Sequence, residues 1–204
     1  MALILLLSTI VVVPQVNAGG LGSQDPGVSD TVTWRVGDKW VYAGSFDPTV
    51  LVQSAGVDAT VGTINGDATT TVNSVSEVDI GGVQTLVYQT SSNADFDKGG
   101  VALEGYTGNL YIQYQVDEVR RVSDLARLSS DLSLNVRYVP YGISSLTQQI
   151  ADITISTTYD PVNENYDFPL RIGETWNTSY VSSTAWSGSS DYITPFPQPT
   201  SGAN

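Results

Sequence analysis

The stretch that decides the fold reads Thr70-Thr71-Val72-Asn73-Ser74-Val75-Ser76-Glu77-Val78-Asp79-Ile80. Polar and β-branched residues alternate along much of it, and the pattern returns at residues 151–156, which read Ala151-Asp152-Ile153-Thr154-Ile155-Ser156. Period-two alternation in a run rich in Val, Ile and Thr is typical of a strand with one buried face. Both stretches therefore predict half-buried β-strands.

Turn-forming residues punctuate the chain on either side of these stretches. They occur at Asn65-Gly66-Asp67, Gly81-Gly82, Gly99-Gly100, Gly108-Asn109 and Pro140-Tyr141-Gly142. Short strands separated by such signals indicate an all-β fold with little or no helix, arranged as an antiparallel meander, a sandwich or a curved half-barrel. We predict strands near residues 39–45, 48–61, 69–79, 83–91, 101–107, 109–117, 132–139, 148–157 and 174–184. Residues 117–130 mix helical and strand spacing, and we favour a strand up to Ser123 with a turn after it.

The first eighteen residues have the pattern of a signal peptide. An apolar run from Ala2 to Val13 is followed by Pro14 and by the small-residue site Val16-Asn17-Ala18. The run is too short to cross a hydrocarbon core of ~30 Å as a helix, which needs about 20 residues. We therefore expect residues 1–18 to be removed on export, no integral membrane span, and a protein that is secreted or held at the cell surface.

The remaining chain divides by composition. Residues 19–30 are rich in Gly and polar residues and predict a flexible leader. Residues 31–191 carry the strand signals and predict a single β domain. Residues 192–204 hold several prolines and predict an extended tail or linker.

Charge and composition exclude several functions. The chain carries 8 Lys and Arg against 21 Asp and Glu, a formal net charge of -13. Nucleic acid is not an expected partner, because phosphate binding needs clustered basic residues. The chain has no Cys and no His, so structural zinc sites, thiol nucleophiles, disulfides and imidazole bases are excluded. We expect no enzyme and no organic cofactor.

A seven-residue pattern occurs twice, 136 residues apart. The first copy is Trp34-Arg35-Val36-Gly37-Asp38-Lys39-Trp40, and the second is Leu170-Arg171-Ile172-Gly173-Glu174-Thr175-Trp176. Gly permits the positive φ of a tight turn, and the acid after it can accept hydrogen bonds from backbone N–H groups. We predict two structural corners, each followed by a tryptophan that enters the core.

The second copy carries a resemblance to a known group of proteins. Phe168-Pro169-Leu170-Arg171-Ile172-Gly173-Glu174-Thr175-Trp176 resembles the F-P-L-x-[VI]-G-x-x-W signature of exported, β-rich bacterial and archaeal proteins. Some of these are similar to the half-barrel lipoprotein carriers, which have a curved antiparallel sheet with an apolar face. The resemblance covers about nine residues; it implies a fold and an external location, and it brings no catalytic residue.

Two oxygen-rich segments predict candidate calcium sites, since calcium takes carboxylate and amide oxygens. The first has Asn93, Asp95 and Asp97, with Lys98 where a calcium loop has Gly. The second has Asp160, Asn163, Glu164 and Asp167. Ordinary acidic turns are the alternative interpretation of both segments.

Three classes of function remain open. The first is a structural or adhesive surface protein, with a filament subunit as one version, in which the leader pairs with a neighbour's open sheet edge. The second is a carrier or binding module for an apolar or sugar ligand. The third is a hydrolase that uses two carboxylates facing each other across a cleft.

Overall fold

The computed structural model describes residues 28–49, 59–103, 106–142, 147–189 and 202–203. Strands hold 72% of these residues, so the predicted all-β fold class is confirmed. No helix in the described ranges is long and apolar enough to cross a membrane. The predicted signal peptide, residues 1–18, lies outside the described residues.

Eleven strands follow one another in the described ranges. They are β1 (Val28–Ser29), β2 (Lys39–Phe46), β3 (Ala59–Thr60), β4 (Ile64–Ile80), β5 (Val83–Leu103), β6 (Tyr106–Arg121), β7 (Arg127–Pro140), β8 (Gln148–Asn163), β9 (Leu170–Arg171), β10 (Ser182–Ser189) and β11 (Gly202–Ala203).

Nine of these strands form one antiparallel sheet in the order β2-β4-β5-β6-β7-β8-β10-β11, and β3 pairs with β5 beside that path. Successive strands are neighbours through most of the sheet, which is the predicted meander, and the sheet does not close into a barrel. The short strands β1 and β9 pair with each other in a separate two-stranded sheet. β1 lies in the segment predicted as a leader, and β11 in the segment predicted as a tail.

Of the five predicted turns, two are confirmed and three are wrong, the third being Gly99-Gly100, which lies inside β5. Gly81 and Gly82, both with positive φ, form the turn between β4 and β5, and Tyr141-Gly142 forms a turn after β7. Gly66 and Gly108 instead lie inside β4 and β6. Packing explains why glycine occupies both positions, because a methyl group at either one would overlap atoms of the neighbouring strand.

The strand predicted at 83–91 and residues 101–103 of the strand predicted at 101–107 form one strand, because β5 continues through Gly99-Gly100, whereas residues 106–107 belong to β6. A register shift between Lys98 and Val101 accommodates the glycine pair as a bulge, and Gly100 has a φ of 73°. The strand predicted at 174–184 is displaced, since residues 174–181 are irregular and β10 begins at Ser182. Between β6 and β7, the strand ends at Arg121 and residues 122–124 form a turn, close to the predicted arrangement.

The main sheet has one apolar and one polar face. Residues directly opposite each other in antiparallel strands project on the same side, so each face is a set of rows that run across the strands. One row, from β2 to β8, is Tyr42, Ala68, Ala94, Tyr114, Leu134 and Ile153. The adjacent row, on the other side of the sheet, is Ala43, Asp67, Asp95, Gln113, Asn135 and Asp152.

We define the apolar face by residue number. It comprises the even-numbered residues 40–46 of β2, 64–72 of β4, 88–98 of β5, 110–120 of β6, 130–138 of β7 and 184–188 of β10, and the odd-numbered residues 151–157 of β8. The polar face comprises the residues between them. Burial alternates accordingly: on β2, the residues of the apolar face are half-buried and those of the polar face are exposed.

Additional segments pack on both ends of the apolar face. At one end, Ala59 and Val61 join Phe96, Leu110 and Tyr138 in a buried cluster. At the other end, a cluster forms around Val72, Tyr88 and Leu125, with Trp34, Trp40, Val122 and Phe168 packed against it. The segment around Trp34 is fixed there because the Trp34 backbone N–H donates to the Tyr88 hydroxyl at 3.0 Å.

Both copies of the repeated pattern form the predicted corner. Gly37 has a φ of 91° and Gly173 a φ of 80°. In the first corner a carboxylate oxygen of Asp38 accepts from the Arg35 backbone N–H at 2.7 Å. In the second, Glu174 accepts from the Arg171 backbone N–H at 3.1 Å. The same residue types therefore build the same turn twice.

The two tryptophans after these corners differ, so the expectation that both enter the core is wrong for Trp176. The first corner is attached to the sheet, since Gly37 and Asp38 exchange backbone hydrogen bonds with Val72. Trp40 then lies on β2 and its ring centroid is 5.1 Å from that of Trp34. No strand follows the second corner directly, and Trp176 is 39% exposed, with its indole N–H donating to the Asn165 carbonyl.

We predict that Gly66→Ala destabilises the protein and that Gly44→Ala does not. A methyl group at Gly66 would overlap the Phe96 ring, and we expect a loss of about 1 to 3 kcal/mol. At Gly44, in the same row, the nearest ring atom is 3.9 Å from the added carbon, and the reduced freedom of the unfolded chain favours Ala. Urea midpoints of both variants measure the difference; equal midpoints would contradict the packing described for Phe96.

The tryptophans provide a second test of the core. We expect Trp40→Ala to reduce the free energy of unfolding by about 3 kcal/mol, because it leaves a cavity beside Trp34. We expect Trp176→Ala to cost under about 1 kcal/mol, because that side chain is well exposed. Denaturant unfolding followed by far-UV circular dichroism compares them, and a larger loss for Trp176→Ala would show that the second corner is the one that holds the core.

Candidate functional site

The centre of the apolar face is formed by side chains of the sheet alone within the part of the chain that the structure describes. Leu134, Ala151 and Ile153 form a buried cluster there. The half-buried residues packed against it also belong to the sheet; they are Ile112, Tyr114, Leu132, Val136 and Ile155. Each of these side chains lies on β6, β7 or β8, where the alternating sequence directs it to the same side. The result is a continuous apolar surface between the two packed ends.

An ionic cluster lies on this face, toward the end where Tyr88 is buried. Glu118 belongs to the row that holds Thr90 and Ser130, and Arg120 pairs with both Tyr88 and Arg127 in the row beyond it. We call Glu118, Arg120 and Arg127 the arginine–glutamate cluster. Their side chains are 13%, 16% and 26% exposed, so all three charges are largely removed from water.

The two guanidinium groups share one carboxylate. Oε2 of Glu118 accepts hydrogen bonds from Nη2 and Nε of Arg120 at 2.7 and 2.9 Å. Oε1 of Glu118 lies 2.8 Å from Nε of Arg127. That contact is an ion pair and does not have hydrogen-bond geometry. Nε of Arg127 is therefore buried without a hydrogen-bond partner among the described residues. The cluster therefore carries a net charge of +1 in a chain whose formal charge is -13.

Tyrosines surround the cluster, and their electrostatics follow from this position. Burial raises the pKa of Tyr114, the nearby Glu118 raises it further, and Arg127 lowers it. Burial also raises the pKa of Tyr42, which Arg120 opposes. Burial lowers the pKa of Arg127, but the Glu118 charge and the Tyr159 hydroxyl together raise it above its ordinary value. These directions keep both tyrosines neutral and Arg127 charged at neutral pH.

Asn163 completes the row on β8. It is the register partner of Arg127 and is 5% exposed. Its Oδ1 is buried without a hydrogen-bond partner among the described residues. An unpaired buried polar atom costs about 1 to 3 kcal/mol, so a ligand atom that bonds to Asn163 would recover part of this cost. The sequence predicts Asn163 as part of a calcium segment, whereas the structure places it opposite an arginine.

The first predicted calcium segment is not a loop. Asn93, Asp95 and Asp97 are alternate residues of β5 and lie on the polar face. Alternate residues of a strand are spaced by roughly 7 Å, which prevents the chain from wrapping around an ion. Asp95 instead accepts from the Gln113 amide at 3.0 Å. The interpretation of residues 93–99 as an acidic turn is wrong for the same reason.

The second predicted calcium segment is divided between a strand and an irregular stretch. Asp160 and Asn163 belong to β8, whereas Glu164 and Asp167 follow it. Glu164 is exposed and forms an ion pair with Arg121. Within the described ranges no three acidic side chains come together as metal ligands. A calcium site remains a prediction from the sequence.

Carboxylates do face each other in two places, both on the polar face. Asp67 is the register partner of Asp95, and Asp117 is the register partner of Asp131. Asp67, Asp95 and Asp131 are exposed. Neighbouring positions on that face hold Ser, Thr, Asn and Gln rather than the walls of a cleft.

The sequence contains a signal for the arginine–glutamate cluster that none of the sequence-based predictions uses. The alternate residues of β6 on the apolar face read Leu110, Ile112, Tyr114, Val116, Glu118 and Arg120. Two charged residues that continue an apolar alternation indicate charges on the buried face of a strand. Arg127 and Asn163 carry no such signal, because register shifts separate both from the regular part of their strands.

Comparison with known proteins gives no relative. No family model matches this chain, and neither a curated protein nor a solved structure matches it.

Proposed function

We propose that the protein is an exported binding module or carrier for an apolar ligand, which lies on the apolar face of the main sheet. The observation that supports this function is the set of half-buried apolar side chains around the buried cluster of Leu134, Ala151 and Ile153, all of which belong to the sheet. These half-buried side chains keep apolar area that a ligand can cover, at roughly 25 cal/mol per Å². Aromatic residues such as Tyr114 add flat surfaces suited to a hydrocarbon ligand.

The structural or adhesive function predicted from the sequence is the second candidate, and an open strand edge favours it. β2 pairs with β4 only up to Thr71, and the first corner adds hydrogen bonds at Val72. Beyond that point β4 pairs with β5 alone among the described strands. Glu77 and Asp79 are exposed along this edge, and carboxylates there oppose pairing with another copy of an acidic chain. We therefore rank assembly through this edge second.

A carboxylate-dependent hydrolase receives less support. The two facing carboxylate pairs lie on the polar face. Among the described residues, no segment packs over that face to form a cleft around a substrate. The apolar face has a single carboxylate in its ionic cluster, Glu118, and two arginines hold it.

Two adjacent residues of β7 test the proposed function. Leu132 lies on the apolar face and Ser133 on the polar face, so the same substitution can be made on both sides of one strand. We expect the protein to bind the neutral probe N-phenyl-1-naphthylamine saturably, with a rise in its fluorescence. Leu132→Gln should weaken binding about fivefold, because the probe loses part of an apolar contact, whereas Ser133→Gln should leave it unchanged.

Circular dichroism spectra of the two variants serve as the folding control. Absence of saturable binding by the unsubstituted protein would contradict the proposed function. An equal effect of Leu132→Gln and Ser133→Gln would also contradict it, because the ligand would then not lie on the apolar face.

A further inference from the structure

The arginine–glutamate cluster is positioned to select the head group of a ligand whose tail lies on the apolar face. Glu118 is four residues from Tyr114 and six from Ile112 along β6, which places the cluster roughly 20 Å from the far side of the apolar centre. A ligand that spans this distance would have a polar end at the cluster and an apolar end beside Ile112. The face therefore matches an amphiphile better than a wholly apolar molecule.

Charge decides which head group fits. Two guanidinium groups and one carboxylate leave one positive charge uncompensated in the cluster. Arg120 is engaged twice by Glu118 and also donates to the Leu125 carbonyl at 3.3 Å. Arg127 meets Glu118 through an Nε that lacks hydrogen-bond geometry, and it also contacts Tyr159, whose ring centroid lies 6.0 Å from the guanidinium carbon. Glu118 therefore holds Arg127 less completely than Arg120, which leaves N–H donors of Arg127 for a ligand.

A head group with one negative charge matches the one uncompensated positive charge of the cluster. A carboxylate accepts two parallel hydrogen bonds from a guanidinium and brings the cluster to neutrality. A doubly charged phosphate would leave a net negative charge in a half-buried position, close to Glu118. The acidic surface of the chain repels anions in general, so a negative head group needs a local positive site of this kind.

Asn163 provides the second, independent observation. It is 5% exposed, it faces Arg127 across the strand pair, and its Oδ1 has no partner in the described structure. No hydrogen bond to that oxygen fixes the amide. Rotation by about 180° exchanges the oxygen with the NH2 group, which can then donate to a carboxylate held by Arg127.

From these contacts we infer that the ligand is a long-chain carboxylate, whose head group binds Arg127 and Asn163 and whose tail lies on the apolar centre of the sheet. This inference rests on the proposed function. It adds a ligand class and two residues that recognise the head group.

The test compares three ligands with the same dodecyl tail and different head groups: dodecanoate, dodecanol and dodecyltrimethylammonium. Binding to the full chain is measured by titration calorimetry, below the concentration at which each ligand aggregates. We expect dodecanoate to bind at least about tenfold more tightly than dodecanol, since a charge-assisted hydrogen bond distinguishes them. The cationic ligand should bind most weakly.

Substitutions then assign the preference to the cluster. Arg127→Gln should reduce the preference for dodecanoate over dodecanol to less than about threefold, because the charge-assisted bond to the carboxylate is lost. Arg127→Lys should keep part of the preference. Arg137→Gln is the matched control, because Arg137 lies on the polar face of the same strand, over the Tyr111 ring. Asn163→Leu should weaken dodecanoate binding more than dodecanol binding.

Each outcome decides between the two proposals. If dodecanol binds as tightly as dodecanoate, the head-group inference is wrong and the apolar binding function stands. If the preference exists but survives Arg127→Gln, the head group binds elsewhere and the inference is also wrong. If none of the three ligands binds, both proposals fail. The comparison of head groups on the unsubstituted protein remains decisive even if Arg127→Gln does not fold.

Discussion

The structure depends on an antiparallel register that stays constant across the centre of the sheet. Register shifts occur at Val72/Ser74, Lys98/Val101, Val119/Arg120, Arg127/Ser129 and Val136/Arg137. Between them, the rows through Thr90, Ser92, Ala94 and Phe96 continue from strand to strand. Because side chains alternate with period two, a slip of one residue would exchange the two faces. The regular register therefore gathers the apolar residues of several strands on one side.

The ends of the apolar face differ in chemistry, and the difference follows from what packs on them. One end is mainly apolar, and there Val61 and Leu103 join Phe96 in a buried cluster. The other combines an aromatic cluster with the arginine–glutamate cluster, where the shared carboxylate of Glu118 offsets part of the cost of burying two guanidinium groups. A sheet of this kind has a polar end and an apolar end as well as two faces. This difference between the two ends matches a ligand that has a charged head group and an apolar tail.

Most of the fold is predictable from local sequence, and the site is not. The alternation at residues 151–156 and the turn at Gly81-Gly82 depend on neighbouring residues only, so the strands and the meander follow from short stretches. Local sequence predicts turns at Gly66 and Gly99-Gly100, but all three glycines lie inside strands. Gly66 makes room for the Phe96 ring of the neighbouring strand, and Gly99-Gly100 form a bulge. Both features depend on which strands pair, and short stretches of sequence do not specify that. Arg127 and Asn163 meet across a register shift, and no spacing along the chain encodes that contact. The first calcium segment fails as a loop because a strand separates oxygen atoms that are close in sequence.

The proposed function requires one side of the main sheet to be apolar and open to a ligand. The chain has no cysteine, so the accessibility of each side can be measured by the labelling of single introduced cysteines. Single cysteines introduced at positions 131 to 136 of β7 would be labelled with a water-soluble maleimide, with and without dodecanoate. We expect fast labelling at 131, 133 and 135 that the ligand does not change. We expect slow labelling at 132, 134 and 136 that the ligand slows further. Equal rates at all six positions, or protection of the odd-numbered positions by the ligand, would contradict the apolar binding face.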